Sequence, residues 1–494
     1  MTEITKKVRT RFAPSPTGYV HIGNLRTALY AYLYAKKHNG EFILRVEDTD
    51  QKRLVDDATL RILDVLAWSG MKIDEGVMLG KNNKIQESGE KGPYTQSKRL
   101  DIYKKYVQQL IDEDKAYYCF CTSERIDEVR KEQQKNKQAP MYDGHCRDFP
   151  KEDAQKRIEA GEKYVVRLKI PKDEEIKFDD GVFGEIIVSS NTIDDQVLMK
   201  SDGFPTYHLA VVVDDHLMEI THVLRGEEWI PSTPKHIILY KYFGWDAPEF
   251  IHLPSIVNEN RKKLSKRQGD VSVADFQENG YLPEGLINFL ALLGWNPKSE
   301  EEFFSMKKLE ELFDEKGLHK AGAVFDMKKL DWTNAYYIKQ KSIEELTTLC
   351  LPYLEKYSQE KNINIGREVA EKIVSIDQER MKKLSNVTEN IDFYFSEPEY
   401  DKELLRWKEN TDSETVNALE KMKKAIEKIE NFAKMKDIKE MLFQEADGKV
   451  GDHLWPLRVA LTGEKQSPSP FEIAWVINKE KSLKRIERAI EKLK

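Results

Sequence analysis

The arrangement that most constrains the fold is a strand–loop–helix–strand pattern within residues 8–47. Residues 8–13 and 42–46 predict short strands, and the loop after the first strand contains two prolines and two glycines. A helix is predicted to start near Asn24, where apolar residues begin to recur at helical spacing, and to stop at the Asn-Gly pair of residues 39–40. Such a β–loop–α–β unit indicates the opening of a doubly wound nucleotide-binding fold.

The rest of the chain predicts several domains, because 494 residues are too many for one compact core. Residues 68–98 are loop-like, with a polar, glycine-rich stretch at 81–92, and predict a surface insertion. The expected fold class is α/β: a Rossmann-like doubly wound domain with an inserted α+β module, followed by all-α C-terminal domains. The predicted boundaries are 1–110 with 205–257 for the first domain, 111–204 for the insertion, 258–335 for a connecting domain and 336–494 for the helical region, with a break near 410.

The last third of the chain carries three helix-start signals of the capping-box type. In each, a serine or threonine is followed three residues later by glutamate, and the third adds proline at the first helical position. The pairs are Ser342 with Glu345, Thr411 with Glu414, and Ser469 with Glu472. These signals predict an all-helical region, in which Cys350 lies on an apolar helical face and is predicted to be core.

Composition narrows the class of protein. A hydrophobic fraction of 40% and a charged fraction of 33% are typical of a globular protein, and no apolar run is long enough to predict a membrane span. The N-terminus lacks the apolar core of a signal peptide. Four cysteines are too few for a disulfide scaffold and favour a reducing, cytosolic setting. Because the net charge is −7, any RNA-binding surface must be a local basic patch.

The first motif that could take part in binding or catalysis is the loop of residues 14–24, between the first strand and the helix. Backbone N–H groups and the helix dipole favour phosphate at this place. Gly23 would allow close approach of a ligand to the backbone, and His21 could donate to phosphate oxygens as charge develops. The loop matches neither the dinucleotide fingerprint nor the P-loop. On these residues alone, an ordinary loop histidine is the favoured interpretation.

The second motif is the basic stretch of residues 260–267, which contains five cations in eight residues. It follows a predicted buried strand, so it would lie at the carboxyl end of the sheet. One interpretation is a solvated basic loop, as most charge runs are. The other is an active-site loop that neutralises a polyphosphate leaving group.

Taken together, the two motifs resemble those of a known enzyme family. Residues 21–24 (His-Ile-Gly-Asn) resemble the HIGH signature of class I aminoacyl-tRNA synthetases, with asparagine in place of the last histidine, and residues 263–267 (Lys-Leu-Ser-Lys-Arg) resemble their KMSKS loop. Further stretches are similar to the bacterial glutamyl-tRNA synthetase pattern at 11–18, 45–50, 207–210, 214–216 and 225–229, and a weaker similarity occurs at 456–463. The chain is identified as a member of that family over residues 8–335.

The resemblance implies that the enzyme activates glutamate with ATP and Mg²⁺ to glutamyl-adenylate, then transfers it to the 3′ end of tRNA(Glu) with release of AMP and pyrophosphate. It implies catalytic roles for His21, Lys263 and Lys266. The implied ATP-binding residues are His21, Gly23, Asn24, Glu228, Lys263, Ser265 and Lys266. The implied glutamate-binding residues are Arg11, Ala13, Ser15, Glu47, Tyr207 and Arg225.

Within this implied glutamate site, Arg11 and Arg225 would grip the substrate carboxylates, since a planar guanidinium suits bidentate pairing. Glu47 would face the substrate ammonium group, although it could instead form only a salt bridge with Arg45. Tyr207 would complete the pocket, although it could instead be core. A family position that can be asparagine is Val211 here and is left out of the site.

The resemblance also implies partners and leaves alternatives. The insertion (111–204) would receive the acceptor end of tRNA, the helical region (336–494) would read the anticodon, and the enzyme would be a monomer. A non-discriminating enzyme that also charges tRNA(Gln) is an open alternative. A glutaminyl-tRNA synthetase is less favoured, because that family typically has Pro-Glu-Pro-Asn-Gly at residues 14–18 and C-terminal β-barrels. A silent tRNA-binding relative is disfavoured by the intact motifs.

Three cysteines form a separate candidate site. Cys119, Cys121 and Cys146 match the zinc spacing of some family members, which have a histidine where this chain has Asp148. A structural zinc site needs four ligands, so Tyr142 or His145 would have to replace the missing one. The alternative is three reduced cysteines in a small module without a metal.

Overall fold

The computed structural model describes residues 7–264 and 272–494. The chain divides into two compact units. The first comprises Met1–Glu278 and Pro283–Leu330, and the second comprises Asn279–Leu282 and Asp331–Lys494. The first unit contains the β-sheets described below, and the second is helical.

The strands, all in the first unit, are β1 (Arg9–Phe12), β2 (Glu41–Leu44), β3 (Glu75–Leu79), β4 (Ile85–Ser88), β5 (Ala116–Cys119), β6 (Val165–Leu168), β7 (Glu175–Asp180), β8 (Gly184–Ser189), β9 (Val197–Met199), β10 (His222–Gly226), β11 (Glu249–Leu253), β12 (Ile256–Val257) and β13 (Ala323–Val324). The helices up to the second unit are α1 (Ile22–Lys37), α2 (Ala58–Trp68), α3 (Leu100–Asp112), α4 (Ser123–Lys135), α5 (Lys151–Glu159), α6 (Tyr207–Leu217), α7 (Thr233–Phe243), α8 (Val273–Glu278), α9 (Pro283–Ala291), α10 (Met306–Leu312) and α11 (Met327–Gln340).

The central feature of the first unit is a doubly wound arrangement of parallel strands. β1 pairs in parallel with β2 and β2 with β3, while β10 pairs in parallel with β11. The backbone N–H of Thr221 donates to the carbonyl of Arg9 at 3.0 Å and brings β10 beside β1. The spatial order is therefore β3-β2-β1-β10-β11, which confirms the predicted Rossmann-like fold. The place between β1 and β10 is where such folds bind ligands.

Helix α1 follows β1 as predicted and begins at Ile22, with His21 as its N-cap. The helix is not amphipathic: residues 28–35 are all buried, because the sheet and neighbouring helices cover it on several sides. Residues 39–40 end the helix as expected: Asn39 adopts a left-handed backbone conformation with φ of 51°. The helix start therefore has a fixed position relative to the ends of β1 and β10.

The prediction that residues 68–98 form a loop-like surface insertion was wrong. β3 lies inside this segment and extends the parallel sheet through β2, and β4 pairs with it in antiparallel register. The polar, largely exposed sequence of β4 carries no alternating apolar pattern, so the strand signal is absent from the sequence. β4 is a strand because it pairs with β3, a contact that the sequence pattern does not indicate.

The segment expected to be a separate insertion contributes to two sheets. β5, β6 and β9 form their own three-stranded antiparallel sheet. The hairpin of β7 and β8 instead joins the parent sheet, where Phe250 of β11 pairs with Asp180 of β7. The insertion boundaries of 111–204 and the connecting domain of 258–335 stay predictions, and the hairpin ties part of the insertion to the parent fold.

The second unit is built from helices, as predicted. They are α12 (Ile343–Lys361), α13 (Arg367–Asp377), α14 (Asp392–Phe395), α15 (Asp412–Lys428), α16 (Met435–Ala446), α17 (Val450–Thr462), α18 (Pro470–Ile477) and α19 (Lys479–Leu493). The predicted N-caps Ser342, Thr411 and Ser469 begin α12, α15 and α18, and the last two form complete capping boxes. Cys350 is fully buried in the core, as expected. The predicted break near residue 410 stays a prediction.

None of the helices formed by residues 7–264 and 272–494 is both long and apolar enough to cross a membrane.

Candidate active site

A cavity of about 890 Å³ opens where β1 and β10 end. Every described residue predicted to bind ATP or glutamate lines it: Arg11, Ala13, Ser15, His21, Gly23, Asn24, Glu47, Tyr207, Arg225, Glu228 and Lys263. Ser265 and Lys266 lie outside the described residues, so their predicted roles stay predictions. Residues far apart in the chain therefore share one cavity at the ligand-binding end of the doubly wound sheet.

The N-terminus of α1 forms one side of the cavity. The Nδ1 atom of His21 accepts a hydrogen bond from the backbone N–H of Gly23 at 3.0 Å. An acceptor at Nδ1 places the proton of the neutral ring on Nε2. A Cβ atom at Gly23 would lie 3.3 Å from that Nδ1 atom, so a larger residue would crowd the ring. This side combines a helix N-terminus with an imidazole donor, a combination that suits phosphate oxygens.

The strand leading to the basic stretch is held close to α1. Arg26 on α1 is buried and donates to the carbonyl oxygens of Pro254 and Leu293, the latter at 3.1 Å. Beyond β12, the exposed Lys263 approaches Glu228, with 3.7 Å between Nζ and Oε1. Arg26 thus anchors the segment from which Lys263 reaches the cavity.

Arg11, at the end of β1, is buried and paired with a carboxylate from α6. Its Nε atom donates to Oδ1 of Asp215 at 3.1 Å, and Nη1 of Arg45 donates to the same oxygen at 2.7 Å. Burial raises the pKa of Asp215, but the charges of Arg11 and Arg45 outweigh it and lower the pKa below the ordinary value. Asp215 therefore stays ionised and fixes both guanidinium groups.

The neighbouring Asp214 is fully buried and holds a second set of donors. It accepts hydrogen bonds from Arg99 at 2.7 Å, Tyr103 at 2.8 Å and Gln96 at 2.9 Å. Burial raises the pKa of Tyr103, and the Asp214 carboxylate raises it further. Because every one of these partners is a donor, the network satisfies both carboxylate oxygens of Asp214 and holds Arg99, Tyr103 and Gln96 together.

Glu47 lies at the continuation of β2 and faces the same cavity. Its Oε1 atom accepts from Nη2 of Arg45 at 3.1 Å, so the salt bridge considered for this residue is present. Burial raises the pKa of Glu47 to about 7, although Arg45 and Arg11 oppose the rise. The salt bridge and a place in the cavity are compatible, since the carboxylate lines the cavity while paired.

Arg225, at the end of β10, is the second buried arginine of the cavity. Its Nη1 atom donates to the hydroxyl of Tyr207 at 3.1 Å, and its Nη2 atom donates to the hydroxyl of Thr233 at 2.7 Å. Tyr207 is therefore part of the cavity wall, where its ring also packs on Trp229 with 4.2 Å between centroids. The two predicted carboxylate-binding arginines enter the cavity with different partners.

Two histidines complete the surroundings of Arg225. Its Nε atom lies 3.0 Å from Nε2 of His252, whose Nδ1 atom lies 2.6 Å from a carboxylate oxygen of Asp180. Its Nη1 atom lies 3.2 Å from Nδ1 of His236, and His236 in turn lies 3.2 Å from His208. Burial lowers the pKa of His252, of His236 and of His208, and for His208 the pKa falls to about 4. They are therefore neutral near pH 7.

The three predicted cysteine ligands converge in the inserted segment. Their Sγ atoms all lie within 4.8 Å of one another. The hydroxyl oxygen of Tyr142 lies 3.3 Å from Cys119 Sγ and 3.5 Å from Cys121 Sγ, and Cys121 Sγ is 3.6 Å from Cys146 Sγ. Ligands of a tetrahedral zinc site with Zn–S bonds near 2.3 Å lie about 3.8 Å apart. The spacing therefore suits a zinc ion with Tyr142 as the fourth ligand.

The other candidates for the fourth zinc ligand do not converge on the cysteines. Asp148 is exposed and approaches Lys169, and His145 is also exposed. The hydrogen bond between the two thiols lowers the pKa of Cys119 to about 4 and raises the pKa of Cys146, so Cys119 is the one of the two that ionises first. A readily ionised thiol is the form that binds a metal.

Sequence reasoning missed the residues behind the cavity wall. The sequence predicted no role for Asp180 or His252. Asp215 entered only as a member of residues 214–216, which are similar to the family pattern. A signal did exist, since two carboxylates directly follow the apolar run 209–213 and His252 interrupts the apolar strand β11. Polar residues within buried segments need partners, which indicates a network without identifying its members.

Comparisons with known proteins agree with this geometry. The profile of tRNA synthetases class I (E and Q), catalytic domain, matches residues 7–332, and an anticodon-binding domain profile matches residues 345–490. A glutamate–tRNA ligase of Alkaliphilus metalliredigens is 47% identical over 99% of this chain and 100% of its own length, and that of Clostridioides difficile is 47% identical over 97% and 98%.

Solved structures agree as well. The crystal structure of a glutamate tRNA ligase from Elizabethkingia meningosepticum in complex with its amino acid has a TM-score of 0.86 and 39% identity, and it covers 99% of this chain and 100% of its own. The glutamate-tRNA synthetase of Elizabethkingia anophelis has a TM-score of 0.87 at 39% identity, over 98% of this chain and 100% of its own.

Proposed function

The chain belongs to the class I tRNA synthetases of the glutamate and glutamine type, and we propose on that premise how its residues join glutamate to tRNA. The reaction is glutamate–tRNA ligation: glutamate and MgATP form glutamyl-adenylate and pyrophosphate, and the tRNA 3′ end then takes the glutamyl group with release of AMP. The observation that carries the assignment of roles is the single cavity, which joins a phosphate-binding helix start to two buried arginines and a carboxylate.

The phosphate side of the cavity binds ATP. The proton on His21 Nε2 and the backbone at Gly23 and Asn24 face the α-phosphate, where negative charge grows during in-line attack by the glutamate α-carboxylate. Lys266, outside the described residues, would stabilise the departing pyrophosphate with Lys263 in support, and Glu228 approaches Lys263 at the cavity. Catalysis of this kind needs positioning and fixed charge and no covalent nucleophile on the protein.

The opposite side binds glutamate. Arg11 and Arg225 bind its two carboxylates, and Glu47 binds its ammonium group. The hydroxyls of Tyr207 and Ser15, with the backbone near Ala13, complete the pocket. An ammonium group beside Glu47 favours the ionised carboxylate, so substrate binding and ionisation of Glu47 support each other.

Two larger surfaces serve tRNA. The anticodon-binding profile over residues 345–490 supports anticodon recognition by the helical region, where unpaired bases can be stacked and hydrogen-bonded. The inserted segment, about 111–204, receives the acceptor end. We also take the enzyme to be a monomer, which sedimentation of the purified protein tests.

A structural zinc ion in the inserted segment is part of the proposal. Cys119, Cys121, Cys146 and the hydroxyl of Tyr142 would hold it, and this set is supported by the mutual spacing of the three Sγ atoms and by the distances from the hydroxyl to Cys119 and Cys121. A bound zinc would cross-link strand β5 to the loop around Tyr142 and stabilise the module. The zinc takes no part in the chemistry of the cavity.

The deciding experiment is aminoacylation of purified glutamate and glutamine tRNAs, each with glutamate and with glutamine. Charging of the glutamate tRNA with glutamate is the expected result. Charging of both tRNAs with glutamate would identify a non-discriminating enzyme. Charging with glutamine alone would overturn the proposed glutamate site.

A further inference from the structure

The two arginines of the glutamate site differ in how their charges are balanced. Arg11 is paired with the carboxylate of Asp215. Arg225 is only 5% exposed, yet all its hydrogen-bond partners in the described part of the chain are neutral: Tyr207, Thr233, His236 and His252. A buried cation without a counter-ion is costly, so Arg225 gains most from an incoming anion.

The hydrogen bonds of Arg225 determine which ring nitrogen of His252 carries the proton. A guanidinium Nε–H can only donate, so Nε2 of His252 must accept. The proton of the neutral ring is then on Nδ1, which donates to Asp180 across 2.6 Å. Burial lowers the pKa of His252, which keeps the ring in this neutral, accepting form.

Asp180 is itself held rigidly. One oxygen accepts from the backbone N–H groups of Val182 at 3.0 Å and Phe183 at 2.9 Å, within the turn between β7 and β8. The other accepts from the backbone N–H and the ring of His252. Burial raises the pKa of Asp180, but the His252 hydrogen bond and these backbone amides outweigh it and lower the pKa. The carboxylate therefore stays ionised and orients the ring.

We infer that His252, oriented by Asp180, is a positioning residue that fixes Arg225 as the carboxylate-selecting cation of the amino-acid site. The inference rests on the proposed glutamate function. Because Nε, Nη1 and Nη2 of Arg225 are each engaged from the protein side, the guanidinium cannot rotate to suit a different ligand. A fixed guanidinium whose direct hydrogen-bond partners are neutral favours a carboxylate over a carboxamide, because the carboxamide has no charge and only one acceptor oxygen.

The geometry allows a matched pair of substitutions. The amide of asparagine takes roughly the position of Nδ1, so His252→Asn keeps a donor for Asp180 but removes the acceptor for Arg225. The amide of glutamine takes roughly the position of Nε2, so His252→Gln keeps the acceptor for Arg225. His222→Gln is the control, because His222 also faces a carboxylate, Glu249 at 3.4 Å, but does not line the cavity.

The experiment measures KM for glutamate, KM for ATP, kcat and the preference for glutamate over glutamine with the full-length protein and tRNA. For His252→Asn we expect KM for glutamate to rise about tenfold or more and the preference to fall, with KM for ATP unchanged within about threefold. His252→Gln should stay within about threefold of the unsubstituted protein, and His222→Gln should match it.

Equal impairment of both His252 variants would identify a merely structural role and overturn the inference, as would normal kinetics in His252→Asn. A second measurement needs no variant: ¹⁵N NMR of the histidine-labelled protein should show His252 protonated on Nδ1, and a proton on Nε2 would refute the inference even if the variants fail to fold. Failure of the proposed function is distinguishable, because the unsubstituted protein would then not charge glutamate at all.

Discussion

Arg11 and Asp215 stand 204 positions apart in the sequence and form a buried ion pair, with 3.1 Å between Nε and Oδ1. The contact joins the first strand of the fold to helix α6, which follows the insertion. Asp215 also accepts a hydrogen bond from Arg45, so one carboxylate orients both Arg11, which we propose binds glutamate, and the arginine that pairs with Glu47. The proposed substrate binding and the stability of the fold would therefore depend on the same carboxylate.

Replacing the shared carboxylate should therefore affect both properties. Asp215→Asn leaves Arg11 and Arg45 without their counter-ion, and breaking a buried pair in this way costs about 3–5 kcal/mol. We expect urea unfolding to show a loss of this size, together with a raised KM for glutamate. Since the pKa of Asp215 lies below its ordinary value of 3.8, its contribution is fully present above that pH and is lost only as the pH falls through the lower, folded-state pKa.

The matched control for Asp215 is Asp101→Asn. The Asp101 side chain is 96% exposed and pairs with Lys104, so its replacement should lower the free energy of unfolding by no more than about 1 kcal/mol and leave the kinetics unchanged. A loss of stability no larger for Asp215→Asn than for Asp101→Asn would contradict the assigned role.

Glu47 predicts a pH dependence of glutamate binding. Because its pKa in the free enzyme is about 7, the carboxyl group is mostly protonated below that pH and cannot bind the ammonium group of glutamate. We expect kcat/KM for glutamate to fall about tenfold for each pH unit below about 7 and to level off above it. Glu47→Gln should have a low kcat/KM that no longer changes in this range.

Ionisation of Glu47 should lower the stability of the fold as the pH rises, whereas it raises kcat/KM for glutamate. A carboxyl group whose pKa rises from 4.5 unfolded to about 7 folded contributes stability that is complete below pH 4.5 and is lost as the pH rises through about 7. The Glu47→Gln protein should therefore lose less stability than the unsubstituted protein between these limits. If kcat/KM for glutamate does not change from pH 6 to 8 in the unsubstituted enzyme, ionisation of Glu47 does not control glutamate binding.

Lys263 should matter for the chemistry and little for folding. Its side chain is 64% exposed, so Lys263→Ala should leave the thermal midpoint unchanged. We expect pyrophosphate exchange, measured with glutamate and tRNA present, to slow about tenfold or more, because charge stabilisation of the leaving group is lost. Lys266→Ala, outside the described residues, should behave similarly.

Lys104→Ala is the comparison for Lys263. Lys104 is 59% exposed, also pairs with an acidic residue, and lies outside the cavity lining. Equal exchange rates for the Lys263 and Lys104 variants would remove Lys263 from the catalytic residues.

The cysteine site predicts one zinc per chain in purified protein. Tyr142→Phe removes the fourth ligand while keeping the ring, so zinc should be lost to a chelator at least about tenfold faster than from the unsubstituted protein. His145→Ala is the control, because that side chain is exposed, and it should retain zinc normally. Well under one zinc per chain in the unsubstituted protein would end the zinc proposal.

Some features were predictable from the sequence because they depend on neighbours along the chain. The first βαβ unit follows from local periodicity and from a helix stop at residues 39–40. The caps Thr411 and Ser469 follow from a spacing of three residues. The cavity residues were found through motif resemblance, which reports positions in the chain and not contacts between side chains.

What the sequence by itself determined is thus the first βαβ unit, the capped helix starts of the last third, the fold class and the residues that carry the motifs, but not strands β3 and β4. Only the tertiary structure decided that the β7–β8 hairpin joins the parent sheet and brings Asp180 to His252 behind Arg225, and that Asp215 ties Arg11 to Arg45. The physical reason is the distance along the chain over which each interaction acts. Helix periodicity and capping involve residues only a few positions apart. The partner of a buried charge is chosen by packing between distant segments, which no local pattern records.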